Sequence, residues 1–408
     1  MKILIASQYF YPENFRINDL AFTMAERGHQ VAVLTGIPNY PTGQFFDGYG
    51  LFRHRHEIFK GVEIIRAPLI PRGNASGWRL ALNYLSFAFL ACWVGLTKVR
   101  GDYDAIFVFQ VSPITVGIPA VLMKWLKKAP IFFWVLDLWP ESVTAVGGIK
   151  QPWLISVLTK LTKWIYSHCD LVLVQSKGFY AHSLKMGVPQ ERLKYFPNWA
   201  ESLYQPMQAS VEHLPNMPNG FRVMFAGNIG VAQDFPSILD AVEKLKHLKE
   251  IQWIIVGDGR MQVWVREQVA KRSLQDVVHI LGRHPIEKMP EFFARADALL
   301  VTLKKEAIFA STIPGKVQSY LACGKPIIGM LDGEGAHVVQ ESGAGFVCPS
   351  EDSSSLATIV EKLYLLPQDA RDAMGAAGRK YYELNFDKEL LFSRLDAWMY
   401  DLVKDNKK

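Results

Sequence analysis

The strongest constraint on this chain is a succession of short apolar segments, rich in β-branched and aromatic residues, that alternate with helical patterns. Segments that are hydrophobic on both faces are typical of buried parallel strands joined by crossover helices. In the first half the predicted strands are KILIAS, QVAVLTG, VEIIRAP, DAIFVFQ, PIFFWVLD and DLVLVQS, and in the second half they are FRVMFAGNIG, IQWIIVGDG, VVHILGR, ADALLVTL, KPIIGML and GAGFVCP. The sequence therefore predicts an α/β protein with two Rossmann-like domains built on parallel sheets.

The domain boundary is expected between these two series. The length of 408 residues exceeds what one hydrophobic core usually supports. The stretch 197–220 contains four prolines and lacks a helical or strand pattern, so we place the boundary there. We predict an N-terminal domain over 1–200, a C-terminal domain over 201–386 and a terminal helix over 387–408. No strand follows that helix, and we expect it to pack across the domains.

The charge of the chain is unevenly distributed. Residues 1–190 contain 19 Lys and Arg against 11 Asp and Glu, whereas the remaining residues contain 26 against 28. A basic first half suits anionic partners such as phosphates or lipid headgroups, although an ordinary solvated surface explains it equally well. Nucleic acid is not expected as a partner, because the basic residues are dispersed and no recognised DNA- or RNA-binding motif is present.

The cysteines and the first residues indicate the compartment. Four cysteines are scattered along the chain without metal-ligand spacing, which is typical of buried thiols in a reducing environment. The opening MKILIASQYF lacks the features of a signal peptide. We therefore expect a cytoplasmic protein, with peripheral contact at the inner face of the plasma membrane as a further possibility.

One apolar segment raises the question of a membrane. Residues 80–97 carry no formal charge over 18 positions, the length at which a spanning helix becomes a candidate. Spanning is disfavoured because the strand DAIFVFQ follows directly and belongs to the same sheet as KILIAS. Two interpretations remain open: a helix that covers the sheet, or one that also enters the bilayer interface. Trp78 and Trp93 bracket the segment, so any peripheral membrane contact is expected at 78–97.

The loops that follow the strands of the second half are candidate sites, because ligands of open α/β sheets bind beyond the carboxyl ends of the strands. The strand that ends at Phe225 leads into a loop with Gly227 and Gly230, and a helix is predicted to start near Phe235. Glycines let the backbone approach a ligand, and a helix N-terminus offers free N–H groups to a phosphate. The next strand ends at Gly257 and Asp258, where a plain turn and a contact with a base or ribose are equally good interpretations.

A third loop, STIPGK, precedes another predicted helix. Ser311 or Thr312 is expected to cap this helix, and Gly315 keeps the approach to its N-terminus open. Lys316 falls in the first turn, where a cation opposes the helix dipole. A bound diphosphate explains that local conflict better than helix propensity does.

At this point the chain resembles a known family. GNIGVAQD, VGDG, VHILGRHPIEKMPEFFARADALLV, YLACGKPIIG and GAGFVCPSEDSSSLA follow, in order, the motifs of the nucleotide domain of GT-B glycosyltransferases of family GT4. SQYFYPENFRINDLA, LTGIPNYPTG and LDLWPES also resemble the WbuB-like bacterial branch, so the likeness covers nearly the whole chain. The resemblance implies a retaining transferase that moves a sugar, such as N-acetyl-L-fucosamine, from a UDP-sugar to a lipid-linked or polysaccharide acceptor in O-antigen or capsule synthesis.

The chain departs from that family at its charged positions. The Arg and Lys that usually hold the diphosphate correspond to Asn228 and Gln233, the two glutamates of E-x7-E correspond to Ser311 and Ser319, and the familiar histidine corresponds to Leu136. Lys316 and backbone N–H groups must then carry more of the phosphate charge. The predicted donor-binding residues are Gly227, Asn228, Gly230, Gln233, Gly257, Asp258, Ser311, Thr312, Gly315 and Lys316.

The N-terminal half is expected to bind the acceptor. The loop YPENFRIN presents Glu13, Asn14 and Arg16, and we predict that Arg16 meets a phosphate of the acceptor or donor. The loop GIPNYPTG is too rich in Pro, Gly and Asn for a helix, so Asn39 and Tyr40 are predicted to face the cleft between the domains. After a further strand, DLWPES supplies two carboxylates able to orient an acceptor hydroxyl, those of Asp137 and Glu141.

The predicted catalytic residues are Asp137, Arg16 and Lys316, with the leaving diphosphate stabilised by Lys316, Arg16 and helix N-termini. A donor phosphate oxygen is expected to take the acceptor proton, so that no strong protein base is needed. We infer no metal and no cofactor, because Asp102 and Asp104, although spaced as DxD, directly precede a buried strand. Two alternatives remain open: a UDP-sugar 2-epimerase of the same architecture, and a non-catalytic subunit that binds a sugar nucleotide.

Overall fold

The chain forms two compact units in a computed structural model that describes residues 1–147, 151–208 and 215–406. Unit 1 comprises residues 1–196 together with 395–408, and unit 2 comprises 197–394. The division between the units therefore falls at the start of the proline-containing stretch.

Unit 1 is built on an eight-stranded sheet with the order β3-β4-β2-β1-β5-β6-β7-β8, parallel except for the pairing of β3 with β4. Its strands are β1 (Lys2–Ala6), β2 (Gln30–Gly36), β3 (His56–Phe59), β4 (Val62–Ala67), β5 (Ala105–Gln110), β6 (Ile131–Val135), β7 (Leu171–Val174) and β8 (Leu193–Tyr195). Its helices are α1 (Arg16–Glu26), α2 (Gly77–Lys98), α3 (Gly117–Lys127), α4 (Glu141–Gly147), α5 (Pro152–Ser167) and α6 (Gly178–Lys185).

Unit 2 is built on a six-stranded parallel sheet with the order β11-β10-β9-β12-β13-β14. Its strands are β9 (Phe221–Ala226), β10 (Ile251–Val256), β11 (Val278–Gly282), β12 (Ala298–Thr302), β13 (Ile327–Met330) and β14 (Gly345–Cys348). The helices are α7 (Phe235–Leu245), α8 (Gln262–Lys271), α9 (Met289–Ala294), α10 (Ala307–Ala310), α11 (Gly315–Ala322), α12 (Glu334–Glu341), α13 (Ser353–Leu365), α14 (Gln368–Asn385) and α15 (Lys388–Asn406).

The predicted fold class is confirmed, since all twelve predicted strands are present in two mainly parallel sheets. The sequence did not indicate β3 and β8. The strand β3 lies at the sheet edge with every second side chain exposed, and β8 has three residues, too few for a recognisable pattern. Helix α7 begins at Phe235, as predicted.

The terminal helix α15 begins one residue after the predicted start, and its last part belongs to unit 1. Within unit 1, the carboxylate of Asp396 accepts a hydrogen bond from Arg27 Nε at 2.9 Å and pairs with His29 Nε2 at 3.0 Å. These two half-buried contacts fix the end of the chain to the loop between α1 and β2.

Candidate functional site

Three adjacent strands of unit 2, β9, β10 and β11, end beside one cavity of about 460 Å³. The carboxyl ends of parallel strands meet at one sheet edge, so loops far apart in sequence converge there. Four predicted donor-binding residues line this cavity, namely Gly227, Asn228, Gly257 and Asp258. The other lining residues are Val256, Gly259, Arg283, His284 and Met289.

The loops after β9 and β10 touch through their backbones. A Cβ on Gly257 would lie 1.9 Å from the Gly227 carbonyl oxygen, and a Cβ on Gly259 would lie 2.4 Å from the carbonyl oxygen of Ile229. Both Gly227 (φ +131°) and Gly257 (φ +146°) also adopt positive φ. The Ile229 N–H donates to the carbonyl of Asp258 at 2.8 Å and joins the two turns. Only glycine fits this arrangement, which leaves a wall made of backbone at the cavity.

The two amide side chains of the first loop have different positions. Asn228 lines the cavity. The side-chain oxygen of Gln233 accepts the Gly230 N–H at 3.2 Å, and the Gln233 carbonyl accepts a hydrogen bond from Thr302 Oγ1 at 2.5 Å. Gln233 therefore holds the loop in shape, and Gly230 is small because a Cβ there would lie 2.6 Å from Asn228 Nδ2.

Lys316 is the second residue of α11, in the first turn as predicted. Its Nζ lies 3.6 Å from the centroid of the Phe225 ring, is inaccessible to solvent and has no hydrogen-bond partner among the described residues. Burial lowers the pKa of this amine to about 7. The side chain is not among those that line the cavity, but it packs against Gly227, which is: a Cβ there would lie 2.8 Å from Lys316 Cε.

The hydroxyls of the STIPGK loop do not cap α11, and that prediction is wrong. The N-cap of α11 is Pro314. Ser311 Oγ and Thr312 Oγ1 instead donate to the carbonyls of Ala307 and Ile308 in the preceding short helix, at 3.0 and 2.9 Å. These hydroxyls do not line the cavity, because they turn back onto the carbonyls of α10 from the two residues that follow it. Gly315 is exposed with open space around its Cα, as predicted for an open approach.

Sequence reasoning missed the third wall of the cavity, which Arg283, His284 and Met289 supply. Arg283 is exposed, and the His284 ring lies 4.8 Å from the Phe292 ring. The signal was their position at and after the end of the predicted strand VVHILGR, at the same sheet edge as the two glycine loops. The exposed Asp258 carboxylate and the Arg283 guanidinium give the cavity one acceptor and one cation at its solvent side.

The predicted acceptor loops of unit 1 bond mainly to each other. The buried carboxylate of Glu13 accepts the N–H groups of Asn39 and Tyr40 at 2.8 and 2.7 Å, and burial raises the pKa of this carboxyl to about 7. Asn39 is also buried, and its side-chain oxygen accepts the Arg72 N–H at 3.1 Å. The prediction that Asn39 faces a cleft is therefore wrong, because its amide closes the loop.

Other side chains of these loops do reach the surface. Tyr40 is 39% exposed and stacks under the Arg72 guanidinium at 4.9 Å. Asn14 is exposed, and Arg16, the first residue of α1, is half-buried. These three residues remain predicted contacts for an acceptor or a phosphate.

Asp137 and Glu141 follow β6, as predicted, but differ in surroundings. Burial raises the pKa of Asp137 to about 6, although its carboxylate accepts the indole N–H of Trp139 at 3.2 Å. Burial favours a higher pKa for Glu141, but its pairing with His182 Nδ1 at 3.3 Å, a backbone hydrogen bond and the charge of Lys185 together outweigh burial, so the pKa is lowered. The pKa of Asp137 is therefore about one unit below neutral pH, whereas Glu141 is ionised and pairs with a histidine.

Comparison with protein families accounts for most of the chain. Residues 14–199 match the family described as "Glycosyl transferase 4-like domain", and residues 211–381 match the family described as "Glycosyl transferases group 1". The first match lies in unit 1 except for its last three residues, and the second lies in unit 2.

Two relatives are similar over much of the sequence. The probable glycosyltransferase WbjE of Pseudomonas aeruginosa is 27% identical over 71% of this chain and 74% of its own length. The putative colanic acid biosynthesis glycosyl transferase WcaI of Escherichia coli K12 is 25% identical over 95% of this chain and 97% of its own length.

Solved structures share the architecture at lower identity. The sucrose-phosphate synthase of Thermosynechococcus elongatus superposes with a TM-score of 0.71 at 16% identity, over 99% of both chains. Anabaena HepE in complex with UDP-glucose gives a TM-score of 0.64 at 16% identity, over 98% of this chain and all of that one. At these identities the likeness establishes the fold.

Proposed function

Because this chain is a glycosyltransferase of family GT4 with the GT-B fold, we propose that it transfers a sugar from a UDP-sugar to a polysaccharide or lipid-linked acceptor in bacterial surface glycan assembly. The observation that carries the proposal is the cavity at the ends of β9, β10 and β11, with its backbone wall and its two charged side chains. A volume of about 460 Å³ lies within the range of small-ligand sites.

The proposed donor site places the diphosphate at the glycine loop after β9. The N-termini of α7 and α11 favour negative charge, whereas the N–H groups of Gly227, Ile229 and Gly230 already donate to acceptors of the protein. Asp258 is a hydrogen-bond acceptor suited to ribose hydroxyls, and Arg283 supplies a cation at the same cavity. The HepE structures in complex with UDP and UDP-glucose support a uridine nucleotide as the donor.

Lys316 is the proposed charge partner of the leaving diphosphate. A buried amine without a hydrogen bond is costly, and an anion at Nζ would supply the partner that this amine lacks among the described residues. Diphosphate oxygens near Gly227 would supply that anion and favour the protonated amine. Lys316 would then supply the positive charge that the family usually provides from other positions, where this chain has uncharged residues.

We propose that transfer retains the configuration at the anomeric carbon. The bond between that carbon and the donor phosphate oxygen breaks, the acceptor oxygen forms the new bond on the same face, and its proton passes to the departing phosphate. Asp137 then orients a hydroxyl group in its ionised form and needs no role as a strong base. No cofactor is assigned to this reaction.

The relatives and the sequence resemblance bear on the acceptor, the transferred sugar and the compartment. WcaI carries colanic acid biosynthesis in its description, which favours a surface polysaccharide as the product here. The resemblance of the first half to the WbuB-like branch favours N-acetyl-L-fucosamine, or a related amino or deoxy sugar, as the transferred group. A lipid-linked acceptor would place the enzyme in the cytoplasm at the inner face of the membrane.

A screen of UDP-sugars by thermal shift identifies the donor. A ligand at 100 times its Kd raises the unfolding free energy by about 2.7 kcal/mol, so the true donor stands out from near analogues. The best donor is then incubated with lipid-linked oligosaccharides, and the product is analysed by NMR for its anomeric configuration. An axial-to-axial or equatorial-to-equatorial outcome supports retention, and an inverted product contradicts it.

The same assay separates the alternatives. An epimerised UDP-sugar formed without any acceptor would support a 2-epimerase, and tight donor binding without turnover on any acceptor would support a non-catalytic subunit. Either result overturns the proposed transfer.

A further inference from the structure

Helix α2 exposes an apolar stripe along its outer side. Its six large apolar residues recur at intervals of three and four positions, which places them on one side of a helix. Phe89 is 75% exposed and Trp93 is 64% exposed. The opposite side, with Phe87, Ala91 and Val94, is buried in the core of unit 1. The exposed stripe consists of Trp78, Leu82, Leu85, Phe89, Trp93 and Leu96.

Large apolar residues are also exposed on α3 and α5. Helix α3 packs against both α2 and α5. The ring centroids of Trp125 on α3 and Trp164 on α5 are 6.4 Å apart, and Lys127 Nζ donates to the Val99 carbonyl just after α2 at 2.9 Å. We call this surface the three-helix face; besides the stripe of α2, it comprises the exposed residues Trp125 and Leu126 of α3 and Trp153, Val157 and Trp164 of α5.

The charge on these helices has a single sign. Helices α2, α3 and α5 contain no Asp or Glu in their 22, 11 and 16 residues. Of their six cations, Lys124 pairs with Asp170 at 2.6 Å and Lys127 bonds to carbonyl groups, whereas Lys98, Lys160 and Lys163 are exposed. The six are Arg79, Lys98, Lys124, Lys127, Lys160 and Lys163.

Helix α2 is long and apolar enough to cross a membrane, with a mean hydropathy of 1.6 over an 18-residue window, but its surroundings oppose spanning. The strands on either side of it, β4 and β5, belong to the same sheet, and its inner side packs in the core. The sequence left open whether 80–97 covers the sheet or enters a bilayer interface. In the structure the helix covers the sheet with one side, and the other side is uncovered.

We propose that the three-helix face docks onto the surface of a bilayer that contains anionic lipids. Tryptophan and lysine together are typical of the membrane interface, where indoles lie at headgroup depth and lysines meet phosphates. Protein interfaces, in contrast, are depleted of lysine. Monomeric soluble proteins rarely expose large apolar patches, and eleven large apolar side chains are exposed on these three packed helices. The proposal concerns a surface outside the donor cavity and does not depend on which sugar is transferred.

The test measures co-sedimentation of the full chain with vesicles, without donor or acceptor. We expect binding to vesicles of phosphatidylcholine with about 30% phosphatidylglycerol, weaker binding to pure phosphatidylcholine, and weakening by salt, because an anionic surface attracts basic residues and salt screens that attraction. The triple variant Phe89→Ser, Trp93→Ser, Trp125→Ser is expected to bind at least about tenfold more weakly. Lys160→Glu with Lys163→Glu is expected to bind anionic vesicles at least about 30-fold more weakly.

Matched variants keep the test specific. Phe52→Ser, Ile58→Ser and Leu365→Ser replace side chains that are 96%, 73% and 71% exposed elsewhere, and this triple variant should bind like the wild type. Lys246→Glu with Lys271→Glu repeats the charge change on unit 2. The proposal is overturned if the wild type does not bind anionic vesicles, or if the two triple variants bind these vesicles equally.

Self-association is the competing use of the same surface. Sedimentation velocity over a range of protein concentrations distinguishes it. A dimer that the Phe89, Trp93 and Trp125 substitutions dissociate, together with absent vesicle binding, would assign the face to a second copy and reject the bilayer. Donor thermal shifts measured on all variants should equal the wild-type shift, so that a failed docking test and a failed donor assignment remain separate results.

Discussion

The loops after β9 and β10 in unit 2 and the loops around Glu13 in unit 1 use their polar groups differently. In unit 2 the two turns contact through glycine backbone and leave an open cavity, with the amine of Lys316 buried against one turn. In unit 1 the Glu13 carboxylate and the Asn39 amide are buried and bonded to the neighbouring backbone. The first region is shaped to receive a ligand, whereas much of the polarity of the second holds loops together.

The glycines and the polar side chains of these loops have different roles. A glycine that is needed because two backbones touch there indicates the shape of a site. A carboxylate or amide in a loop rich in Pro and Gly, in contrast, bonds to the backbone of its own loop as readily as to a ligand. Asp137 lies between these cases, because its carboxylate bonds to the Trp139 indole within its own loop and burial raises its pKa to about 6.

The largest effect is expected from Gly257→Ala. The new Cβ would collide with the Gly227 carbonyl at 1.9 Å and would also strain the positive φ. We expect a loss of about 2–4 kcal/mol in unfolding free energy and at least about a 100-fold loss of transfer, because the two turns can no longer meet. Urea unfolding and UDP-sugar turnover measure both quantities.

The control for that substitution is Gly50→Ala, where a Cβ would meet no atom within 4 Å. It should keep wild-type stability and turnover. If Gly257→Ala bound and turned over the donor like the wild type, the backbone wall would not be part of the donor site.

The next effect is expected from Asp137→Asn, which tests whether one unit 1 carboxylate does act on a ligand. We expect kcat to fall about 100-fold with donor binding unchanged. Since burial raises the Asp137 pKa to about 6 and the ionised form is the active one, wild-type kcat should rise with pH through about 6. The Asn variant should lack that rise, and Asp102→Asn, which changes an exposed carboxylate of the same unit, should keep it.

Full activity of Asp137→Asn over the whole pH range would remove Asp137 from the reaction. The Asp137 carboxyl would then have only a structural role in its loop, like the carboxyl of Glu13.

A smaller, pH-dependent effect is expected at Lys316. Its pKa is lowered to about 7 without a ligand, and a bound diphosphate should raise it, so donor binding takes up a proton. Affinity for a UDP-sugar should therefore be greatest below pH 7 and fall by up to about tenfold per unit as pH rises above 7. Isothermal titration calorimetry at pH 6, 7 and 8 measures this slope.

Lys316→Met should bind the donor more weakly with no such slope, and should be more stable without ligand by about 1–3 kcal/mol, because no buried amine remains. If both Lys316→Ala and Asp137→Ala transferred sugar at wild-type rates, the roles assigned to the two residues would be wrong.

The sequence predicted those features of the molecule that follow from a regular residue pattern. Twelve strands, the start of α7 at Phe235 and the position of Lys316 in the first turn of α11 follow from periodicity and from turn residues. Four donor-binding predictions fall on the cavity wall, because strand order places the ends of β9 and β10 together.

The sequence did not predict the directions in which individual side chains point. Ser311 and Thr312 donate to helix carbonyls, Asn39 is buried, and Arg283 and His284 line the cavity without belonging to a glycine motif. Each outcome depends on which hydrogen-bond partner or neighbouring strand the fold brings within reach, and residue spacing does not specify that.

The smallest effect is expected from Glu13→Gln, which tests the structural half of the comparison. The folded-state pKa of Glu13 is raised from 4.5 to about 7 by burial, so its contribution to stability is present at low pH and is lost as pH rises between these values. The glutamine side chain of the variant keeps an oxygen for the Asn39 and Tyr40 N–H groups and does not titrate. Relative to this variant, the wild type should lose on the order of 2 kcal/mol of unfolding free energy between pH 5 and pH 8. Urea unfolding at both pH values measures the difference, with kcat expected to stay unchanged at pH 7. A drop in kcat without the pH-dependent stability difference would instead make Glu13 a contact for the acceptor, and the contrast between the two units would no longer hold.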